Sequence, residues 1–168
     1  MGYVRIRAVA RAAILFLLAG PAALAGPIDQ AEILAAHNKY RAEVGVPPLI
    51  WSIRLAASAQ TWAERIAALG QLKHSGAAGM GENLAFATAG HMSLTELIGL
   101  WAAEKQNFKA GTFPDVSTTG NWRDVGHYTQ MVWRDTTEVG CATALGGGKE
   151  YLVCQYASQG NIEGEKVY

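Results

Sequence analysis

Two adjacent glycines, Gly147-Gly148, separate the runs Val139-to-Leu145 and Glu150-to-Tyr156, and the chain's only two cysteines lie one in each run. A glycine pair supplies the positive φ angles that a two-residue hairpin turn requires. Pairing the runs about that turn puts Cys141 opposite Cys154 at a non-hydrogen-bonded position, where backbones come close enough for a disulfide. In the chain-entropy model a bridge closing a loop near this size stabilises by about 3 kcal/mol. The alternative is a pair of free buried thiols.

The N-terminus bears on that choice, because disulfides persist in oxidising compartments. Arg5, Arg7 and Arg11 lead into the apolar run Ala12-Ala13-Ile14-Leu15-Phe16-Leu17-Leu18, Gly20-Pro21 breaks it, and Ala23-Leu24-Ala25 supplies small residues for cleavage. This pattern predicts a signal peptide over residues 1–25 and a mature domain over 26–168. The rival is a retained anchor, but the run is far short of the ~20 residues that cross a bilayer. A secreted, extracellular protein is expected, or a periplasmic one in a bacterium, with no transmembrane anchor after cleavage. The leader holds three arginines and no acid, so a chain with 14 bases and 14 acids becomes acidic on cleavage and keeps no basic block. Nucleic acid is thereby excluded as a partner.

Helical patterns fill the first two thirds of the mature chain. Asp29 is placed to cap a helix with Ile33, Ala36, Tyr40 and Val44 at helical spacing, ended by Gly45 and Pro47-Pro48. Ser52 caps a second, with Leu55, Ala59, Trp62, Ile66 and Leu69 as its buried stripe and Gly70 at its end. Ser93 and Glu96 form a capping box for a third, whose apolar face is Leu94, Leu97, Ile98, Trp101 and Phe108. From Lys109 to Asp124 the chain is rich in Gly, Thr, Ser and Pro without period, which reads as a functional surface loop. Helices first and an antiparallel hairpin last predict an α+β layer architecture.

Four polar residues, His74, Glu82, Glu104 and His127, stand beside apolar or glycine-rich sequence where a titratable group is costly to bury unpartnered. Two imidazoles and two carboxylates brought together would suit a zinc-type divalent ion with an open position for water. Spacing alone does not assemble them. The run Gly126-His127-Tyr128-Thr129-Gln130-Met131-Val132-Trp133 resembles the signature of the CAP superfamily of cysteine-rich secretory proteins, antigen 5 and pathogenesis-related proteins. Four more blocks agree in order: His37-Asn38-Lys39-Tyr40-Arg41 with Pro48-Leu49-Ile50-Trp51; His74-Ser75; Gly81-Glu82-Asn83-Leu84; and Tyr151-to-Tyr156 leading to Gly160-Asn161, where Ser158 departs from the usual proline. The resemblance implies a three-layer α-β-α sandwich with a small antiparallel sheet between helices. It also implies a large cleft in which His74, Glu82, Glu104 and His127 meet, with His74 and His127 as metal ligands. With two cysteines the chain is similar to a minimal or bacterial member, and no cysteine-rich domain is expected after Tyr168.

Two functional classes follow. One is a non-enzymatic binding module whose cleft takes a divalent ion and a small hydrophobic or polymeric ligand, a lipid or sterol among the candidates. The other is a hydrolase in the same cleft, using metal-activated water, or Ser75 as nucleophile served by His127 and Glu82. Neither a nucleophile-elbow glycine pattern nor a His-Glu-x-x-His helix is present to favour catalysis. A hydrogen-bonded tetrad that merely orders the cleft is the structural alternative. His37 is read as a structural hydrogen-bonding group, His91 as solvated, and Trp51, Trp62, Trp101 and Trp133 as core. Phe108, Phe113 and Trp122 are either a lipid-contacting set or loop packing, and Gln130 has a packing or cleft role.

Overall fold

The computed structural model describes residues 28–168, so the expected leader lies outside the described residues. Helix α1 spans Gln30–Glu43, α2 Ile53–Leu69, α3 Leu94–Ala103 and α4 Gly126–Met131; strand β1 spans Ile50–Trp51, β2 Gly81–Thr88, β3 Glu138–Gly146 and β4 Lys149–Ala157. The sheet order is β1-β3-β4-β2. β4 runs antiparallel to both of its neighbours, β3 and β2, and the two-residue β1 adds to β3 in parallel.

The hairpin forms in the expected register, with Cys141 opposite Cys154, their Cα atoms 4.1 Å apart and their sulfurs bonded. Gly147 and Gly148 make the turn with φ of 56° and 75°, a left-handed pair that residues with a Cβ adopt at a cost. Alternation along the strands then sorts the core into two. Val139, Cys141, Leu152, Cys154 and Tyr156 face a cluster with Ile33, Ile98 and Tyr128 from α1, α3 and α4. Ala142, Ala144, Tyr151 and Val153 face α2 through Ala59, Ala63, Ile66 and Ala67. The result is a helical layer on each face of the sheet, the expected sandwich. Gly140 and Gly146 lie where a Cβ would collide with the backbone of α2 at Ala56 and Ala67, so small residues on both elements let helix and strand approach closely.

Two buried polar residues of α1 organise the other layer. Arg41 is fully buried with no carboxylate partner; its Nε donates to Pro47 O at 2.7 Å, Nη1 to Met131 O and Trp133 O at 2.9 Å, and Nη2 to Thr136 O at 2.8 Å. Burial lowers its pKa to about 10, so it keeps its charge at neutral pH. It thereby ties α1 to the end of α4 and to the entry of β3. His37, also fully buried, donates from Nδ1 to Ile33 O at 2.8 Å and accepts at Nε2 from the Tyr156 hydroxyl at 2.9 Å, the structural role read from sequence.

Several local expectations need correction. α3 ends at Ala103 and tightens into a 3₁₀ turn over Glu104–Asn107, so Phe108 lies beyond the helix. Ser52 occupies the N-cap of α2 without a side-chain capping bond, because it is buried against β3, and Leu69 is 55% exposed where the stripe was expected to be buried. Strands β1 and β2 and helix α4 were not foreseen. Trp101 and Trp133 are core; Trp51 and Trp62 are half-buried at its margin. The Lys109-to-Asp124 segment packs its aromatics inward, Phe113 sitting 5.1 Å from Trp122 and 6.3 Å from Trp133, and Phe108 just before it lies 5.4 Å from Tyr128, ring centre to ring centre.

Candidate functional site

The site is built on β2, α4 and the coil between α2 and β2. Glu82 is the second residue of β2, its side chain 8% exposed, while His74 in the coil is 62% exposed. Glu82 Oε1 accepts from His74 Nδ1 at 2.9 Å and from the Ser75 backbone N–H at 2.8 Å, and Oε2 accepts from Gln155 Nε2 at 3.1 Å. Burial opposes the Glu82 charge, but the bonds from His74, Gln155 and Ser75 together outweigh it and hold the carboxyl below its usual range.

A second pair is made by Glu104 and His127. Oε1 of Glu104 accepts from His127 Nδ1 at 2.6 Å, while Oε2 accepts from the backbone N–H groups of His127 at 2.9 Å and Tyr128 at 3.2 Å. Those amides open α4 and have no partner inside the helix, so Glu104 caps from outside the helix that carries His127. The His127 ring also stacks on Trp101, 6.2 Å centre to centre with 20° between planes. Asn83 Nδ2 donates to His127 O at 3.1 Å, joining α4 to β2.

In both pairs a carboxylate, an obligate acceptor, holds Nδ1; that nitrogen carries the proton, and Nε2 of a neutral ring is left with a lone pair. His74, Glu82 and His127 line one cleft of about 550 Å³, together with Trp122, Arg123 and Asn161. Glu104 stands behind His127 and borders a smaller cavity instead. The four predicted residues thus form two His–Glu pairs. Among the described residues no three of His, Cys, Asp and Glu gather into a metal-holding group, so protein donors at this cleft come as two separate imidazoles. A zinc-type ion held there would have two protein ligands, one short of the three that a catalytic zinc site supplies.

Ser75 does not face an imidazole. Its Oγ accepts from the Ala77 N–H at 3.2 Å, and its backbone supports Glu82. His91 is exposed, and its ring bonds Ala89 O of its own turn, at 3.4 Å. Gln130 is buried, its Oε1 accepting from Gly160 N–H at 2.8 Å and its Nε2 donating to Thr136 Oγ1 at 3.2 Å, so it links α4 to the C-terminal segment under the cleft floor. Gln155 and Asn161 were missed from sequence. Gln155 is the cross-strand partner of Glu82, a relation visible only once β2 is known to pair with β4; Asn161 clamps Gly126 O at 2.9 Å and Thr129 Oγ1 at 2.6 Å from the far end of the chain.

Comparison with known proteins agrees with this fold. Residues 34–156 match the family model described as CAP, the cysteine-rich secretory protein family. Pathogenesis-related protein 1A of Nicotiana tabacum is 40% identical over 141 residues, covering 83% of this chain and 81% of the tobacco protein. Venom allergen 5 of Vespa magnifica is 33% identical over 169 residues, covering 83% of this chain and 71% of the allergen. Among solved structures, that of NaASP2 with Zn²⁺ superposes with a TM-score of 0.69 at 25% identity, covering 82% of this chain and 83% of the other. The model match and the tobacco relative each suffice to show that this chain belongs to the CAP family of cysteine-rich secretory proteins.

Proposed function

We propose that the chain is a secreted, non-enzymatic binding module in which Nε2 of His74 and of His127 hold a zinc-type divalent ion at the cleft, leaving the ion's other positions to water and to a small ligand. The observation that carries this reading is the repeated arrangement of an imidazole whose Nδ1–H is fixed by a carboxylate, with both rings on one cleft. A carboxylate behind a ligating histidine sets the tautomer, orients the ring and raises its basicity. When bound, the ion supplies an electrophilic anchor for an oxygen or nitrogen donor of the ligand. The protein's own part is to hold both rings through Nδ1, leaving Nε2 as the free donor of each, on a cleft that Trp122 and Arg123 also line. The crystal structure of a relative with Zn²⁺ is in keeping with it. Export is supported by the basic and apolar leader, the disulfide and the kinship with pathogenesis-related and venom proteins. The serine hydrolase alternative is disfavoured because no ring nitrogen bonds the Ser75 hydroxyl.

Calorimetric titration of zinc into metal-free protein tests the reading. His74→Ala and His127→Ala are each expected to weaken binding at least tenfold, an order set by the loss of one of two protein ligands. Zinc heats unchanged in the double variant would sink it. Hydrolysis of peptide or ester substrates that is lost on Glu82→Ala would overturn the non-enzymatic part.

A further inference from the structure

The outer edge of β2 is only partly used. β4 lies between β3 and β2, and Cys154 faces Cys141 of β3 as a close pair of the kind that exchanges no backbone hydrogen bonds. The N–H and C=O of Cys154 therefore turn to its β2 partner, Asn83. It follows that odd-numbered residues of β2 bond to β4 and even-numbered ones aim their backbone groups away from the sheet. Hydrogen bonds at both ends agree: Ala89 N–H donates to Gly148 O at 3.0 Å, while the outward carbonyls of Leu84 and Thr88 accept from Trp101 Nε1 and the His91 N–H, both at 3.0 Å. Between those two capped carbonyls stands Phe86. Its outward N–H and C=O have no partner among the described residues.

An apolar slot opens at the same place. A cavity of about 240 Å³ is lined by Leu72 on the α2 side, Leu84, Ala85 and Phe86 of β2, and Leu100 and Trp101 of α3, together with Glu104 and His127. Leu72, Phe86 and Leu100 are 42%, 42% and 48% exposed, half of the six large apolar side chains most open to solvent in the described region. Lys149, across from Thr88 in the register, holds its ammonium 4.4 Å from the Phe86 ring centroid, and no carboxylate pairs with it among the described residues.

We propose that this edge docks an extended segment of another polypeptide, with apolar residues facing Phe86 and Leu100 and an acidic side chain two residues from the one that faces Phe86. A free N–H and C=O on one edge residue are matched by a strand, which presents a donor and an acceptor together about 4.8 Å away. The docked residue opposite Phe86 exchanges both bonds with it and packs against Phe86 and Leu72. Its neighbour turns toward Leu100, and the acidic group two residues along, back on the Phe86 face, reaches Lys149. The proposal does not depend on the metal reading of the cleft.

Amide hydrogen exchange on the full domain is the first test: in the free monomer Phe86 N–H should exchange at least a hundredfold faster than those of Ala85 and Ala87. Selection from a displayed library of random nine-residue peptides should then enrich sequences with an acidic residue two positions from an apolar one. A synthetic copy of an enriched peptide should slow exchange at Phe86. Its affinity should fall at least tenfold on N-methylation of the residue facing Phe86, on Phe86→Ala and on Leu100→Gln, with thermal unfolding of both variants unchanged. Lys149→Glu should abolish the acidic preference. A Phe86 amide already protected in the monomer, no enrichment, or binding indifferent to these changes would overturn the proposal. Protection that grows with protein concentration would assign the edge to a second copy and likewise overturn it.

Discussion

The carboxylate of Glu104 binds His127 twice over, through the ring at Nδ1 and through the backbone N–H, so the residue that orients the imidazole also caps the helix on which it rides. Ring position and helix start are consequently one mechanical unit. Glu104→Ala leaves two amides of α4 and one ring nitrogen without their acceptor. It is expected to destabilise by about 2–3 kcal/mol in urea unfolding and to weaken zinc binding by about ten- to a hundredfold in calorimetry. Zinc affinity unchanged in a folded Glu104→Ala protein would separate the capping role from the site.

His37 gives the protein a defined acid sensitivity. Burial, against the opposing bond to Ile33, lowers its pKa from 6.5 to about 4. Between those values the unfolded chain binds a proton that the folded one refuses, so stability is complete above about pH 6.5 and falls as pH drops toward 4. The loss by pH 4 is about 3 kcal/mol at 1.36 kcal/mol per pKa unit. Denaturant unfolding from pH 7 to 4 should show this slope in the wild type and not in His37→Gln. Glu82, held below its usual range, adds its loss at more acid pH, below the unfolded carboxylate pKa.

Arg41 has four backbone carbonyls as its only partners, and no shorter or neutral side chain reaches all of them. Arg41→Met should cost about 3–5 kcal/mol, the range seen when a buried charged group and its acceptors are uncoupled. Arg41→Lys, with one ammonium in place of a planar fork, should recover only part of that. Urea midpoints of the three proteins give the order wild type, Lys, Met; a Lys variant equal to wild type would refute it.

The disulfide closes the hairpin across a sequence separation of 13. Cys141→Ala with Cys154→Ala is expected to lower stability by about 3 kcal/mol with the strands still paired. Thermal unfolding followed in the far and near ultraviolet would check both parts, and an intact midpoint in the double variant would contradict them.

Gly140 tests the contact between α2 and the sheet. An added methyl meets helix backbone, which has no rotamer by which to yield. Gly140→Ala should cost about 1–3 kcal/mol, as overpacking does, whereas Gly99→Ala, with open space at its Cβ, should not destabilise. Equal midpoints for the two variants would count against close helix–strand packing.

Local chemistry alone settled the elements whose cause is local. The Gly147-Gly148 turn fixes its own dihedrals and hence the register that joins Cys141 to Cys154, and the caps at Asp29 and Ser93 lie within four residues of the amides they serve. Motif resemblance added the family, the layered fold and the expectation that the four polar residues meet in one cleft. What only the tertiary structure decided has partners far apart in the chain. β2 shows no strand signal of its own and is defined by its pairing with β4. The six-residue α4 is too short to hold itself without the Glu104 cap from another element. The tetrad resolved into two pairs rather than one cluster for the same reason: each carboxylate is consumed by the element that positions its histidine, Glu82 by Ser75 and Gln155, and Glu104 by the first amides of α4. Sequence named the donors, and long-range hydrogen bonding determined which atoms of them remain free.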